Sequence, residues 1–151
     1  FRPDRDGTAE DLIALGDYAN YTFFHIYRTA AGALSFELGN ATDNGYTSSI
    51  STSLTTLTPI NKWHHLLISY NQAASPRVAI VVNGVNATLG ADGGSGVNRA
   101  KPTTWLEIGC LDDSHINDFD GGLALERFYN VDMRSYGDKH HHQEKSLFGV
   151  W

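Results

Sequence analysis

Cysteine is scarce in this chain: Cys110 stands alone among 151 residues. A single thiol rules out a disulfide framework within the chain, leaving either a buried thiol or a partner cysteine outside it. Basic residues are also few, 11 Lys and Arg against 17 Asp and Glu, and they fall singly. With a net charge of −6 and a pI near 5.5 there is no patch to neutralise phosphates, which argues against nucleic acid. No apolar run approaches the roughly 20 residues that span a bilayer, so no membrane span is expected in this segment. An initiator Met and a signal peptide are missing as well, so the chain reads as a processed or partial piece that something precedes.

Catalytic signatures are missing too. Glycoside hydrolysis needs two carboxylates about 5–9.5 Å apart, and no Glu-x-Asp-x-x-Glu stripe supplies them; Glu37 and Glu126 read as isolated in their strands. Gly93-Gly94-Ser95-Gly96-Val97 misses the Gly-x-Ser-x-Gly spacing of a nucleophile elbow, and the 90–96 stretch matches no phosphate-cradling motif, so it reads as linker. His64 and His65, adjacent in a strand, point to opposite faces and do not act together; packing and turn hydrogen bonds are their expected work. The chain is expected not to be an enzyme.

What is present is a core's worth of apolar residues, 41% hydrophobic and 11% aromatic, broken into short runs by Ser, Thr, Asn and Gly. Leu12 to Leu15 reads as a buried strand. Tyr21 to Tyr27 places Tyr21, Phe23, His25 and Tyr27 on one face, with Phe24 and Ile26 on the other. After a turn at Ala31-Gly32, Leu34, Phe36 and Leu38 alternate with Ser35 and Glu37, the pattern of a strand with one wet face. A longer polar strand runs from Tyr46 to Leu54 and ends before Pro59. Trp63 to Tyr70 and Val78 to Val82 form the next two.

Asn83-Gly84 between alternating apolar runs predicts a type I′ hairpin, because both central residues need positive φ. The returning strand turns Val85, Ala87 and Leu89 inward, with Asn86 and Thr88 in solvent. Trp105 to Gly109 and Leu123 to Tyr129 complete about eight or nine strands at roughly 8–12-residue spacing. The fold class is all-β, a two-sheet antiparallel β-sandwich. Asp138 is positioned to cap a short helix through Leu147. Asn20-Tyr21-Thr22, Asn40-Ala41-Thr42 and Asn86-Ala87-Thr88 are N-glycosylation sequons, which favour a secreted or cell-surface location.

Five stretches in order, Asn61-Lys62-Trp63-His64-His65-Leu66-Leu67-Ile68-Ser69-Tyr70, Ile80-Val81-Val82-Asn83-Gly84, Leu106-Glu107-Ile108-Gly109, Phe119-Asp120-Gly121-Gly122-Leu123 and Phe128-Tyr129-Asn130, carry a resemblance to a known family. The series resembles the laminin G-like branch of the concanavalin A-like lectin/glucanase superfamily. The resemblance covers residues 1–134, leaving 135–151 as a His-rich polar tail or short helix. It implies a jelly-roll sandwich whose early strand lies upstream of Phe1, with an edge to be covered by a preceding segment or another chain. Glu126 departs from it, standing where relatives place an aliphatic residue.

The resemblance implies function only broadly, because the family includes glycan binders, protein binders and structural modules. A non-catalytic extracellular module that contacts a glycan or protein through rim loops is the leading expectation. Tyr18, Asn44 and Tyr46 are the candidate contacts, since rings stack on sugar C–H faces while amides bond to hydroxyls. The alternative is a structural subunit or repeat of an extracellular assembly, joined through its edge and Cys110.

Two carboxylate sets are candidates for Ca²⁺, which takes six to eight oxygen ligands. Asp112, Asp113, Asp118 and Asp120 crowd one loop, although Arg127 stands where an EF-hand would close with Glu. The resemblance separately implies a rim site at Asp17 and the carbonyl near Leu38. His140-His141-His142 cannot converge on one metal ion without outside help, and the run reads as a solvated tail.

Overall fold

Short runs of β-branched and aromatic residues punctuated by Gly and Asn give short antiparallel strands rather than helices. The computed structural model describes residues 1–15, 24–39, 46–53, 58–94, 106–110, 118–124, 127–129 and 131–148; for 46–48, 138 and 144–148 it describes the backbone alone. Among these residues the strands are β1 (Arg2–Pro3), β2 (Glu10–Leu15), β3 (Phe24–Arg28), β4 (Leu34–Gly39), β5 (Tyr46–Ser51), β6 (Leu66–Tyr70), β7 (Val78–Val82), β8 (Val85–Asn86), β9 (Leu106–Ile108) and β10 (Gly121–Gly122). A 3₁₀ turn at Arg134–Tyr136 leads into one helix, α1 (Gly137–Phe148).

The first sheet has the order β5-β4-β3-β2-β9, every pair antiparallel. Two further ladders, β6-β7-β8 and β1-β10, stand apart in strand pairing. Backbone bonds join them: Phe1 N donates to His64 O at 2.8 Å, His64 N donates to Phe1 O at 2.7 Å, and Asn61 N donates to Pro3 O at 2.7 Å. The expected second sheet is therefore present in two pieces, bridged through residues 61–64. That is also why the ladder begins at Leu66 and not at Trp63.

Inward residues of both layers meet in one core. Leu12, Leu34, Phe36, Leu38 and Ile50 come from the first sheet, and Phe1, Val78, Ile80 and Val82 from the second. Each such side chain contributes about 1.5–3 kcal/mol when fully buried. The Asn83-Gly84 turn has the predicted geometry, with φ of +53° and +81°.

Several expectations fail for identifiable reasons. Ser35 and Glu37 do not form a wet face: Ser35 is buried and Glu37 half-buried, because polar partners from β2, β3 and β5 crowd that side of the sheet. Val85, expected inward, is 69% exposed at the hairpin tip, whereas Ala87 and Leu89 do pack on the core. The 90–94 stretch is more than a linker. Gly90 N and Gly93 N bond to the carbonyls of Ser51 and Ser49 at 2.8 and 3.0 Å, and Arg77 holds Asp92 at 3.0 Å. The strand expected at Leu123 to Tyr129 is not found in its described residues, since 123, 124 and 127–129 join no ladder; the pairing falls just before it, at β10, and Glu126 lies outside the described residues.

Candidate groove beside strand β6

Alternation along β6 sends Leu66, Ile68 and Tyr70 toward the core, and His65, Leu67 and Ser69 to the outer face. Asn83 N donates to His65 O at 2.9 Å, so the groups facing β7 belong to His65, Leu67 and Ser69. Antiparallel pairing then turns the backbone groups of Leu66 and Ile68 toward the opposite edge. No other strand of the described residues pairs with that edge.

A cavity of about 350 Å³ opens along it. Leu12, Ile26, Leu66 and Ile68 form its inner wall, and Leu123, Phe128, Tyr129, Val131 and Met133 its outer wall. Phe128, Tyr129 and Val131 are 59%, 47% and 61% exposed. Polar groups are few: His64, His65, Ser69, Arg127, His140 and the hydroxyl-bearing rings Tyr70 and Tyr129. An apolar cavity of this size with a few convergent polar groups has the form of a binding site.

The outer face of β6 and β7 is covered by residues 131–142. Asp132 accepts from Ser69 Oγ at 2.6 Å, Asn71 Nδ2 at 3.1 Å and Arg134 Nε at 2.8 Å. These donors, led by Ser69, hold its carboxyl well below the usual carboxylate range. Helix α1 approaches closely because glycines allow it. A Cβ on Gly137 would fall 2.6 Å from Val81 Cγ2, and one on Gly84 would fall 2.8 Å from His141 Cδ2.

The run sits in α1, the short helix of the two expectations, and is solvated only in part: His141 is buried, His140 half-buried and His142 exposed. His140 Nδ1 lies 2.8 Å from His65 Nε2, and Tyr129 Oη lies 2.9 Å from His140 Nε2. Burial, reinforced by the neighbouring histidines, pushes His65 down to about 4. Among the described residues no three His, Cys, Asp or Glu side chains converge as a metal-binding group.

His64 and His65 take the structural roles expected of them. His64 packs against Phe1, with ring centroids 5.4 Å apart, and its Nε2 lies 2.9 Å from Pro59 O. His65 N donates to Asn83 Oδ1 at 2.9 Å.

A second polar cluster escaped sequence reading. On the outer face of the first sheet, His25 Nε2 lies 2.5 Å from Asp11 Oδ1, and its Nδ1 lies 3.7 Å from Glu37 Oε2. Tyr27 stacks on the imidazole at 4.6 Å and donates to Glu37 Oε1 at 3.2 Å. Burial alone would lower the imidazole, but hydrogen bonds to Asp11 and Glu37 outweigh it and raise its pKa. Glu37 is thus not isolated. The hairpin turn held the signal: pairing Arg28 with Leu34 places His25 opposite Glu37. Asp11, with a side chain 1% exposed, cannot reach a glycosidic oxygen, so the cluster ties three strands together and offers no acid and base to a sugar.

Of the other predicted site residues, Asp17, Tyr18, Asn20, Asn40, Asn44, Asp112 and Asp113 lie outside the described residues, as does the side chain of Tyr46 in β5. Leu38 sits in β4 between Phe24 and Ser48. Asp118 and Asp120 are exposed, with Asp118 O accepting from Arg5 at 2.9 Å and Asp120 N donating to Glu10 Oε1 at 3.3 Å. Two exposed carboxylates do not make the oxygen cage that Ca²⁺ requires, so the described residues alone do not fit the ion. Asn86 and Thr88 are exposed on and just after β8, and Cys110 is half-buried after β9. No helix among the described residues is long and apolar enough to cross a membrane.

The resembling stretches also meet in space. A Cβ on Gly122 would fall 2.8 Å from Trp63 Cη2, and Arg2 lies 5.7 Å over the Trp63 ring. No curated protein and no solved structure matches the chain. A family model described as the concanavalin A-like lectin/glucanases superfamily matches residues 1–135. With that match spanning most of its length, the chain belongs to the laminin G-like branch of the concanavalin A-like lectin/glucanase superfamily.

Proposed function

We propose that this domain is a non-catalytic recognition module of a secreted or cell-surface protein, and that it takes an extracellular protein or glycan in the groove beside β6. Membership of a lectin-like superfamily fits carbohydrate or protein binding. The observation that carries the site is the exposure of Phe128, Tyr129 and Val131 at the mouth of a cavity of about 350 Å³. Clustered exposed apolar surface costs solubility and marks interaction sites, and aromatic rings serve either ligand class. On this reading Asn86 bears a glycan pointing away from the core.

The test is a glycan array and an extracellular-protein panel probed with the 151-residue chain and with a Phe128→Ala/Tyr129→Ala variant. A hit that weakens at least tenfold in the variant, with unchanged thermal stability, supports the reading; hits indifferent to both substitutions overturn it. A second reading, a structural subunit of an extracellular assembly, is favoured by the backbone groups of Leu66 and Ile68 at the β6 edge, which suit pairing with a strand of another copy. Light scattering distinguishes the two, since only the second predicts self-association without added ligand.

A further inference from the structure

The Asn83-Gly84 turn between β7 and β8 puts side by side the two groups of a self-modification: a side-chain amide, and a following backbone nitrogen with no side chain to crowd it. Gly84 N, once it has given its proton to hydroxide, can attack Asn83 Cγ. A five-membered imide forms, the Cγ–Nδ2 bond breaks, and that nitrogen takes a proton from water and leaves as ammonia. A second water opens the imide at either carbonyl. One opening leaves an aspartate at position 83, the other an isoaspartate whose main chain runs through the former side chain.

The folded hairpin restrains this reaction at each atom it needs. Asn83 Oδ1 accepts from His65 N at 2.9 Å and Nδ2 faces His64 Nδ1 at 3.3 Å, so both ends of the amide are committed to the chain entering β6. Asn83 N donates to His65 O at 2.9 Å and its φ is +53°, which fixes the backbone from which the amide would have to swing. Gly84, at φ +81°, lies under His141 of α1: a Cβ there would fall 2.8 Å from His141 Cδ2. Water is not the restraint, because Asn83 is exposed. Bringing Cγ onto Gly84 N therefore requires the loss of two side-chain hydrogen bonds and a departure from the left-handed turn.

We propose that Asn83 is a spontaneous deamidation site that the docked hairpin holds in check, so that reaction there follows opening of the hairpin and then fixes it open. This goes beyond the groove reading and does not depend on what the groove binds. The irreversible step is the isoaspartate. It adds one atom to the main chain inside a two-residue turn, so Val82 and Val85 no longer meet in register and the contact between Gly84 and His141 is lost. The aspartate product keeps the main chain and the left-handed turn, and adds a carboxylate beside His64. One residue thus yields one product that dismantles the β7–β8 corner and one that preserves it.

Peptide mapping by mass spectrometry of the 151-residue chain, held at pH 8 and 37 °C, measures the rate at Asn83. The native rate should lie at least about tenfold below that of the same chain in guanidinium chloride. It should also be no faster than the denatured rate divided by the protection factor of the Asn83 amide, whose bond to His65 O reports closure of the hairpin. His64→Phe keeps a ring against Phe1 and removes the acceptor of Nδ2, so it should speed the native reaction by about threefold or more. Equal native and denatured rates, a native rate above that limit, or no reaction at Asn83 in either state overturns the proposal. An unaccelerated His64→Phe overturns it too; if that variant does not fold, the two wild-type comparisons decide. Separated by ion exchange, the isoaspartate form should have lost amide protection at Ala87, whose N donates to Ile80 O at 2.8 Å, while the aspartate form keeps it. Equal protection in both forms would mean that the reaction does not fix the hairpin open.

Discussion

Glu10 and Arg28 meet out of contact with solvent: Arg28 Nη1 lies 3.6 Å from Glu10 Oε2, and the two side chains are 1% and 0% exposed for Arg28 and Glu10. Arg28 also donates to Thr58 O, Thr58 Oγ1 and Arg5 O at 3.2 Å each, and to Asp6 Oδ1 at 3.0 Å. One guanidinium thus ties the β3 end to the loops before β2 and after β5. Burial raises the Glu10 pKa, and Arg28 works against that rise.

Arg28→Met should therefore cost about 3–5 kcal/mol, because it leaves Glu10 buried with only the half-exposed Arg5, 3.5 Å away, as countercharge and strips Thr58 O, Arg5 O and Asp6 of their donor. Urea denaturation measures it. Adding Glu10→Gln should restore part of the loss by removing the stranded charge. A single variant within about 1 kcal/mol of wild type would show that the pair holds nothing together.

His25 gives a pH dependence of definite sign. Its folded pKa is raised, so its contribution is fully present below about 6.5, the ordinary imidazole value, and is lost as pH rises through the folded value. Chemical denaturation at pH 6, 7, 8 and 9 should show stability falling over the alkaline part of this range. His25→Gln should flatten that slope. A slope unchanged in the variant would assign it to other groups.

Close approach makes a third prediction at β10. Gly121 has φ +156°, and a Cβ there would run into the carbonyl of Arg2, a backbone atom that cannot swing aside. Gly121→Ala should destabilise by about 1–3 kcal/mol through overpacking and loss of the β1–β10 ladder. The same change at Gly7, with nothing within 4 Å of its Cβ, should act only through its φ of +76°. Thermal melts of the two variants compare them, and equal losses would contradict the steric account.

Sequence exposed the scaffold better than the site because periodicity and turn chemistry are local. Leu34, Phe36 and Leu38 alternate visibly, and Asn83-Gly84 announces its turn. The Asp11–His25–Glu37 cluster and the His65–His140 contact depend on register and on residues 75 apart in sequence, which no window contains. Adjacent histidines without periodic apolar partners looked like a tail. Their docking relies on Gly84 and Gly137, two residues whose importance is the absence of a side chain. The groove was invisible for a related reason: Phe128 and Tyr129 fit a strand pattern, yet they stand exposed outside any ladder.

Asn83 does more than supply positive φ, and that yields the last prediction. Its Oδ1 accepts from His65 N at 2.9 Å, which leaves its Nδ2 facing His64 Nδ1 at 3.3 Å. An amide NH₂ can only donate, so His64 Nδ1 is the acceptor and its Nε2 carries the proton donated to Pro59 O at 2.9 Å. His64 is therefore a neutral ring, consistent with a pKa lowered first of all by burial. Asn83→Asp tolerates the left-handed turn and replaces the donor with a carboxylate, which favours an N–H at Nδ1. The His64 midpoint should rise by about one unit or more, read by NMR from its ring protons. A midpoint that stays put would mean that Asn83 does not set the protonation of His64. Asn83→Ala, which removes both bonds and strains φ +53°, should cost about 1–2 kcal/mol by the same melts.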